Sequence, residues 1–320
     1  MKTRKVYLWK GVKSMKDIVI IGAGPAGLSA ALYGARAGMD LAILETNYMA
    51  GGQVLNTYEV DNYLGLPGSN GFDMGMQFKE HVEKRGVEIT AATVERIEAC
   101  GSHYVVRTME EDITCKTVLL ATGAENRRLD VPGEAELRGR GVGYCATCDG
   151  AFYRGKVTAV VGGSYQAVED AIYLAGLCEK VYLIHRRDSL RAGAVLENQL
   201  KKLPNVEIVW KHVPLEIMGE DKVEGIRIQH VESGEEQVLK TDGVFVAIGT
   251  VPRTELAQGL VVLDKQGFVK ADENGVTDRA GFFVAGDIRN KLLRQIVTAV
   301  ADGANAVTAA WNYIQEQQIN

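Results

Sequence analysis

Little in this 320-residue sequence marks a secreted, membrane-embedded or nucleic-acid-binding protein. It has only five cysteines, and Cys100, Cys115 and Cys178 stand far from any other, which excludes the dense disulfide framework of a small secreted domain. No two histidines lie three to five residues apart, so the usual complement of a two-cysteine zinc knuckle is missing. No uninterrupted apolar run is long enough to span a bilayer. Lysine and arginine number 36 against 41 Asp and Glu, a net charge of −5, which leaves no electrostatic case for nucleic acid or anionic lipid. Six prolines against 36 glycines suit a fold of strands, helices and tight turns. Met1 to Ser14 carries five basic residues but no apolar core or cleavage site, so it is no secretory signal. Met15-Lys16-Asp17 offers an alternative start. Residues 1–14 are read as a disordered extension without a function, and the expected compartment is the cytoplasm.

What is present is a globular composition, 46% hydrophobic and 24% charged, in a chain long enough for two domains. Asp17 to Ile21 is an apolar, β-branched run of the kind buried in parallel sheets. It enters Gly22-Ala23-Gly24-Pro25-Ala26-Gly27 and then a helical stretch to Gly38, and a second apolar strand, Leu41 to Leu44, ends at Glu45. A Gly-x-Gly-x-x-Gly is weak by itself, but between strand and helix, with an acid closing the next strand, it is a dinucleotide fingerprint. Gly22 makes the tight turn, Gly24 lets the backbone approach a pyrophosphate, Gly27 lets helix pack on strand, and Glu45 can accept from ribose hydroxyls. Gly51-Gly52-Gln53 and Asn56 follow as a backbone-hugging loop. Asp73 to Arg85 reads as an amphipathic helix, and Val87 to Ile97 with Tyr104 to Thr108 as alternating antiparallel strands. Val118 to Leu120 runs into Ala121-Thr122-Gly123, a chain exit suited to a ligand.

The pattern then recurs. Val157 to Val161 leads into Gly162-Gly163-Ser164-Tyr165-Gln166-Ala167 and a helix. With Gly162 placed on Gly22, the acid position falls at His185, followed by Arg186, Arg187 and, nearby, Arg191. Val244 to Gly249 mirrors Val118 to Gly123, and each is followed by an arginine, Arg127 and Arg253. Two βαβ nucleotide-binding units in one chain is the economical reading. An acid suits an unphosphorylated ribose, whereas paired arginines suit a 2′-phosphate, so the first unit is expected to bind FAD and the second NADPH. A solvated basic turn is the plain alternative for the arginines. Ser164, standing where Gly24 stands, is expected to intrude on the pyrophosphate and to disfavour a positive φ. Near the C-terminus, Gly281 to Val284 reads as a short strand ending at Gly286-Asp287. A long helix begins near Arg294-Gln295-Ile296, with an apolar stripe through Ile296, Val300, Ala304, Val307, Trp311 and Ile314. Asp287 could hold ribityl hydroxyls or serve only as a cap.

Midway stands Cys145-Ala146-Thr147-Cys148-Asp149. Two cysteines at this spacing can form a redox pair, half of a zinc site or an idle structural bridge. The zinc reading lacks its other ligands, and no metal is expected. Taken in order, the Gly22–Gly27, Gly51–Gln53 and Ala121–Gly123 motifs resemble low-molecular-weight bacterial thioredoxin reductases of the pyridine nucleotide-disulfide oxidoreductase family. The same holds for Gly143-Tyr144-Cys145-Ala146-Thr147-Cys148-Asp149-Gly150, His185-Arg186-Arg187 with Arg191, Gly286-Asp287 and Arg294-Gln295. The resemblance runs from about Met15 to the C-terminus.

It implies an α/β fold of two Rossmann-like domains, the second inserted into the first. Residues 15–126 and 252–320 would form the FAD domain, and residues 127–251 an NADPH domain carrying the redox pair. It implies electron flow from NADPH through FAD to the Cys145–Cys148 disulfide and on to thioredoxin. Cys148 would face the flavin, Cys145 would attack the partner disulfide, Asp149 would act as acid-base group, and the enzyme would be a homodimer. Ser164 and Gln166 keep open a related flavoprotein with another donor, such as ferredoxin, or a special thioredoxin-like partner.

Overall fold

The computed structural model describes residues 14–57 and 60–319. The expectation of disorder in the N-terminal extension therefore lies, up to residue 13, outside the described residues. Contacts divide the chain into two compact units. One comprises the chain up to Val54, Gly75–Gly123 and Pro252 onward, and the other Leu55–Met74 and Ala124–Val251.

The first unit is built on a seven-stranded sheet. Lys16–Ile21 lies at its centre because its residues from Ile18 are almost wholly buried, as a strand covered on both faces requires. It pairs in parallel with Leu41–Glu45 on one side and with Asp112–Leu120 on the other. The nine-residue strand Asp112–Leu120 has two neighbours on its far edge. Its first half pairs antiparallel with His103–Thr108, and its last three residues pair in parallel with Phe282–Val284. Four parallel strands therefore end side by side, in the register Leu44, Ile21, Leu120 and Val284. The stretch expected as one alternating strand from Val87 to Ile97 is two. Ile89–Ala91 pairs in parallel with Leu41–Glu45, the Ala92 amide donates to the Glu45 carbonyl at 3.0 Å, and Val94–Cys100 then runs antiparallel to His103–Thr108.

Helix Pro25–Arg36 and the C-terminal helix Ile296–Ile319 cover one face of this sheet and pack on each other. The buried side of the long helix keeps Val307 and Ile314 of the expected stripe but differs in the rest. It carries the small residues Ala299, Gly303, Ala306 and Ala310 together with Val307 and Ile314, whereas Ile296, Val300, Ala304 and Trp311 are only partly buried. Close approach of the two helices is the cause. A Cβ on Gly303 would lie 2.0 Å from the Ala26 carbonyl oxygen, and Ser29 Oγ donates to the Val300 carbonyl at 2.7 Å.

The second unit repeats the arrangement. Its parallel sheet runs Val206–Trp210, Lys180–His185, Val157–Gly162, Gly243–Ala247 and Val142–Gly143. Helix Tyr165–Ala175 packs Ala167, Val168, Ala171 and Leu174 onto it, with Phe245 beneath. A three-stranded antiparallel sheet, His212–Met218, Gly225–His230 and Glu236–Lys240, supplies Ile217, Ile226 and Ile228 to a second apolar cluster of this unit. Among the described residues no helix is long and apolar enough to cross a membrane.

Substituting Gly303 by Ala sets two effects against each other. Alanine gains about 1 kcal/mol over glycine in a helix interior, but here the added methyl meets backbone that cannot swing aside. A net loss of about 1–3 kcal/mol is expected, read by urea denaturation; a gain in stability would show that the two helices have room to spare.

Candidate active site

The strand ends of the first unit gather the residues singled out by the fingerprint. Gly22 has φ +102°, and a Cβ there would lie 2.5 Å from the Ala121 carbonyl oxygen, so the turn closes only on glycine. Gly27 is equally constrained, since its Cβ would meet the Gly22 carbonyl oxygen at 1.8 Å. Gly24 is the N-cap of helix Pro25–Arg36 and offers no side-chain cap, and Pro25 follows with no amide to donate. Gly51 donates to the Ala23 carbonyl at 2.8 Å, and Gly52 comes so near Gly24 that a Cβ would meet the Gly24 Cα at 3.0 Å. The result is a wall of bare backbone beside an uncapped helix end, which fits a pyrophosphate. Glu45, 7% exposed, accepts from the Ala23 amide at 2.8 Å through Oε2 and from Asn47 through Oε1. The lone pairs left on its two oxygens suit ribose hydroxyls.

Ala121, Thr122 and Gly123 leave the neighbouring strand, and Thr122 Oγ1 donates to the Arg253 carbonyl at 2.6 Å. Gly286 and Asp287 follow strand Phe282–Val284, and Asp287 Oδ1 is buried without a hydrogen-bond partner. Burial raises the Asp287 carboxyl, with Lys291 and Arg294 working against the rise. An unpartnered buried oxygen of this kind is where a ligand hydroxyl would be welcome. Asp287 caps nothing in the long helix, which begins only at Ile296. Arg294 stacks its guanidinium 4.0 Å over the Phe268 ring, and the Gln295 amide donates to Thr298 Oγ1. Gln53 lies at the exposed edge, and Asn56 closes the short turn Gly52–Asn56.

One support of this site is absent from the sequence reading. Asp302, on the long helix and 6% exposed, accepts from the Gly286 amide, from Arg289 Nε and Nη2, and from Lys291 Nζ, all within 3.0 Å. Burial works to raise its carboxyl, but the two cations outweigh burial and hold it below the usual range. The detectable signal was an acid on the buried side of an otherwise apolar helix.

The second unit repeats the strand-to-helix turn with the same close approach. A Cβ on Gly162 would meet the Ala247 carbonyl oxygen at 2.4 Å, as Gly22 does with Ala121. Where Glu45 reaches back over Ala23 in the first unit, the His185 ring covers Gly163 in the second. A Cβ on Gly163 would fall 2.2 Å from that ring. His185 is buried, and burial lowers its imidazole. Arg186, Arg187 and Arg191 are exposed just beyond, and the Arg191 amide donates to the Gly163 carbonyl at 2.8 Å, tying the basic turn to the glycine turn. The expected backbone penalty at Ser164 does not arise. Its φ is −83°, open to any residue, and its Oγ accepts from the Ala167 amide at 3.5 Å as the helix cap, with Tyr165 and Gln166 opening the helix behind it.

The cysteine motif follows the edge strand Val142–Gly143, which pairs with Val244 and Phe245. Cys145 and Cys148 are joined as a disulfide with Cα atoms 5.3 Å apart, spanning the start of the short helix Ala146–Asp149. The Cys148 and Asp149 amides both donate to the Cys145 carbonyl, and Thr147 Oγ1 lies 3.3 Å from Cys145 Sγ. The Asp149 carboxyl turns inward. A Cβ on Gly143 would meet Asp149 Oδ2 at 3.0 Å and the Phe245 ring at 3.3 Å, and burial lifts this carboxyl to about 6.

A disulfide closed across two intervening residues on one dinucleotide-type fold, in a chain that carries two such folds, defines a nucleotide-dependent disulfide oxidoreductase. Residues 16–303 match the family model described as pyridine nucleotide-disulphide oxidoreductase. A Bacillus subtilis protein named thioredoxin reductase is 39% identical over 94% of this chain and 96% of its own length. A 34.2 kDa protein of the rubredoxin operon of Clostridium pasteurianum is 41% identical over 93% of this chain and 97% of its own. The crystal structure of thioredoxin reductase from Streptococcus pyogenes superposes with a TM-score of 0.89 at 42% identity, covering 94% of this chain and 99% of that one. The chain belongs to the pyridine nucleotide-disulphide oxidoreductase family.

The raised Asp149 carboxyl has a consequence for stability. The native state binds this proton more tightly than the unfolded chain, so its contribution is full below about pH 3.8 and is lost as pH rises through about 6. Asp149→Asn removes the cost of ionising a buried carboxylate. Relative to wild type the variant is expected to gain about 2–3 kcal/mol between pH 4 and pH 8. Chemical denaturation at the two pH values checks this; a difference independent of pH would mean the carboxyl is not desolvated.

Proposed function

We propose that this protein is an NADPH-dependent flavoprotein disulfide reductase acting on thioredoxin. FAD is held at the strand ends of the first unit, and NADPH at Gly162–Ala167, His185, Arg186, Arg187 and Arg191 of the second. The protein works as a cytoplasmic homodimer. The observation that carries the reading is the Cys145–Cys148 disulfide followed directly by a partly buried carboxyl that burial raises to about 6. When bound, the flavin supplies a carrier able to pass an electron pair from a nicotinamide to a disulfide. The fit of the first unit to that group rests on the glycine wall, Glu45 and the unpartnered Asp287 oxygen.

The chain's own residues account for the exchange with the protein partner. Once the pair is reduced, the Cys145 thiolate attacks one sulfur of the partner disulfide. A mixed disulfide forms and the other partner sulfur leaves as a thiolate. Asp149, protonated near pH 6, gives its proton to a departing sulfur. The Cys148 thiolate then attacks Cys145 Sγ, which closes the internal disulfide and frees the second partner thiolate. Two electrons have moved, and with the two protons of the reduced pair, one passed through Asp149 and one through solvent, the partner leaves as a dithiol. In the second unit, Arg186, Arg187 and Arg191 clamp a 2′-phosphate, while the backbone at Gly162 and Gly163 lets the dinucleotide lie close.

Under anaerobic conditions NADPH is expected to bleach the visible flavin band of the purified yellow protein, and NADH to do so much more slowly. In Arg186→Ala/Arg187→Ala the preference for NADPH should fall by about tenfold or more. Bleaching by neither nucleotide would point to another donor, such as ferredoxin. Cys145→Ser and Cys148→Ser should each abolish thioredoxin reduction and keep the flavin bound; full activity in either would sink the assignment.

A further inference from the structure

The second unit holds a buried carboxylate for which the exchange chemistry has no task. Glu134, 3% exposed, follows the corner Pro132-Gly133. The Ile217 amide donates to the Pro132 carbonyl at 2.9 Å, and a Cβ on Gly133, at φ +83°, would meet the Ile217 carbonyl oxygen at 1.8 Å. The corner is thus pressed flat on strand His212–Met218 and gives Glu134 a fixed base. From it, Oε1 accepts from the Leu129 amide and the Tyr144 hydroxyl, each at 2.9 Å, and Oε2 accepts from the Asp130 amide at 2.8 Å. The Arg138 guanidinium carbon lies 5.4 Å from the centre of the Tyr144 ring. Burial, with Glu134 adding to it, pushes the Tyr144 phenol to about 12, so it remains a donor at neutral pH. Tyr144 directly precedes Cys145, so its anchor fixes where Cys145 enters the short helix.

We propose that Glu134, acting through the Tyr144 hydroxyl, is a positioning residue of the redox pair that keeps Cys145 within reach of Cys148 while the disulfide is open. The proposal rests on the disulfide-reductase reading. In the closed state Cys145 is tied to Cys148 by the S–S bond itself. When two electrons and two protons convert that bond into two thiols, this tie is gone, and the anchored Tyr144 still restrains Cys145. Loss of the anchor gives the dithiol more freedom than the disulfide. The pair then becomes easier to reduce and slower to close, because the effective concentration of one sulfur at the other falls.

The test uses the holoprotein equilibrated anaerobically with dithiothreitol at set dithiol-to-disulfide ratios, with alkylation and mass measurement of the Cys145–Cys148 thiols. The exchange balances: one protein disulfide and one dithiothreitol give one protein dithiol and one cyclic disulfide. Tyr144→Phe deletes a single hydroxyl and leaves Glu134 its two amide donors, so the fold should persist. The equilibrium is expected to shift about fivefold toward the protein dithiol, and Glu134→Gln should shift it the same way. A wild-type pair that exchanges normally, with both variants unmoved, would overturn this inference alone, even if their melting temperatures fell. A wild-type pair that dithiothreitol cannot open would overturn the disulfide-reductase reading and this inference with it.

Discussion

Both units depend on one steric condition: a strand must end against the carbonyl oxygen of its neighbour with no Cβ between them. Gly22 meets Ala121 in this way, and Gly162 meets Ala247. Any side chain at either position would push the central strand off the adjacent one and carry the following helix with it. Where the contact holds, the helix start, the tip of the second strand and the exit of the third converge. Each unit then fills the space over the residue after that glycine in its own way. The first uses a carboxylate, Glu45, which takes the Ala23 amide. The second uses an imidazole, His185, and so needs glycine at position 163 as well. One backbone geometry thereby carries two different side chains over its turn.

Among the described residues, Asp302 and Glu134 are buried carboxyls whose charge several donors share. Asp302 gathers an amide, a guanidinium and an ammonium, and Glu134 gathers two amides and a phenol. Removing one partner from such a cluster strands the others, which makes each a rigid joint. Asp149 is the contrast, a partly buried carboxyl beside Gly143 that is raised by burial alone.

Sequence reading reached the features encoded within a few residues of one another. The glycine turns, the strand-end Glu45 and His185, and the cysteine pair all lie in local patterns whose spacing the backbone dictates. It failed where three-dimensional neighbours decide. Hydrophobicity pointed to Ile296, Val300 and Trp311 as the packed face of the last helix, but close helix approach selected Ala299, Gly303 and Ala306 instead. Alternation suggested one strand from Val87 to Ile97, yet Ala92 ends a parallel ladder and the chain turns there. Ser164 was weighed against a positive φ that the folded turn does not use. Glu134 and Tyr144 gave no signal, because their bond spans a corner whose shape is set by a strand some eighty residues further along.

The exits of the two repeats also pair crosswise. Gly123 accepts from the Arg253 amide at 3.0 Å and Gly249 from the Arg127 amide at 2.9 Å, with Ala124–Asn126 and Thr250–Pro252 paired as a ribbon between them. For the first unit, the whole intervening segment amounts to a tight turn, since the two sides of the break are already bonded. The same junction gives the segment between Gly123 and Pro252 ends that lie side by side, the arrangement in which domain insertion is tolerated.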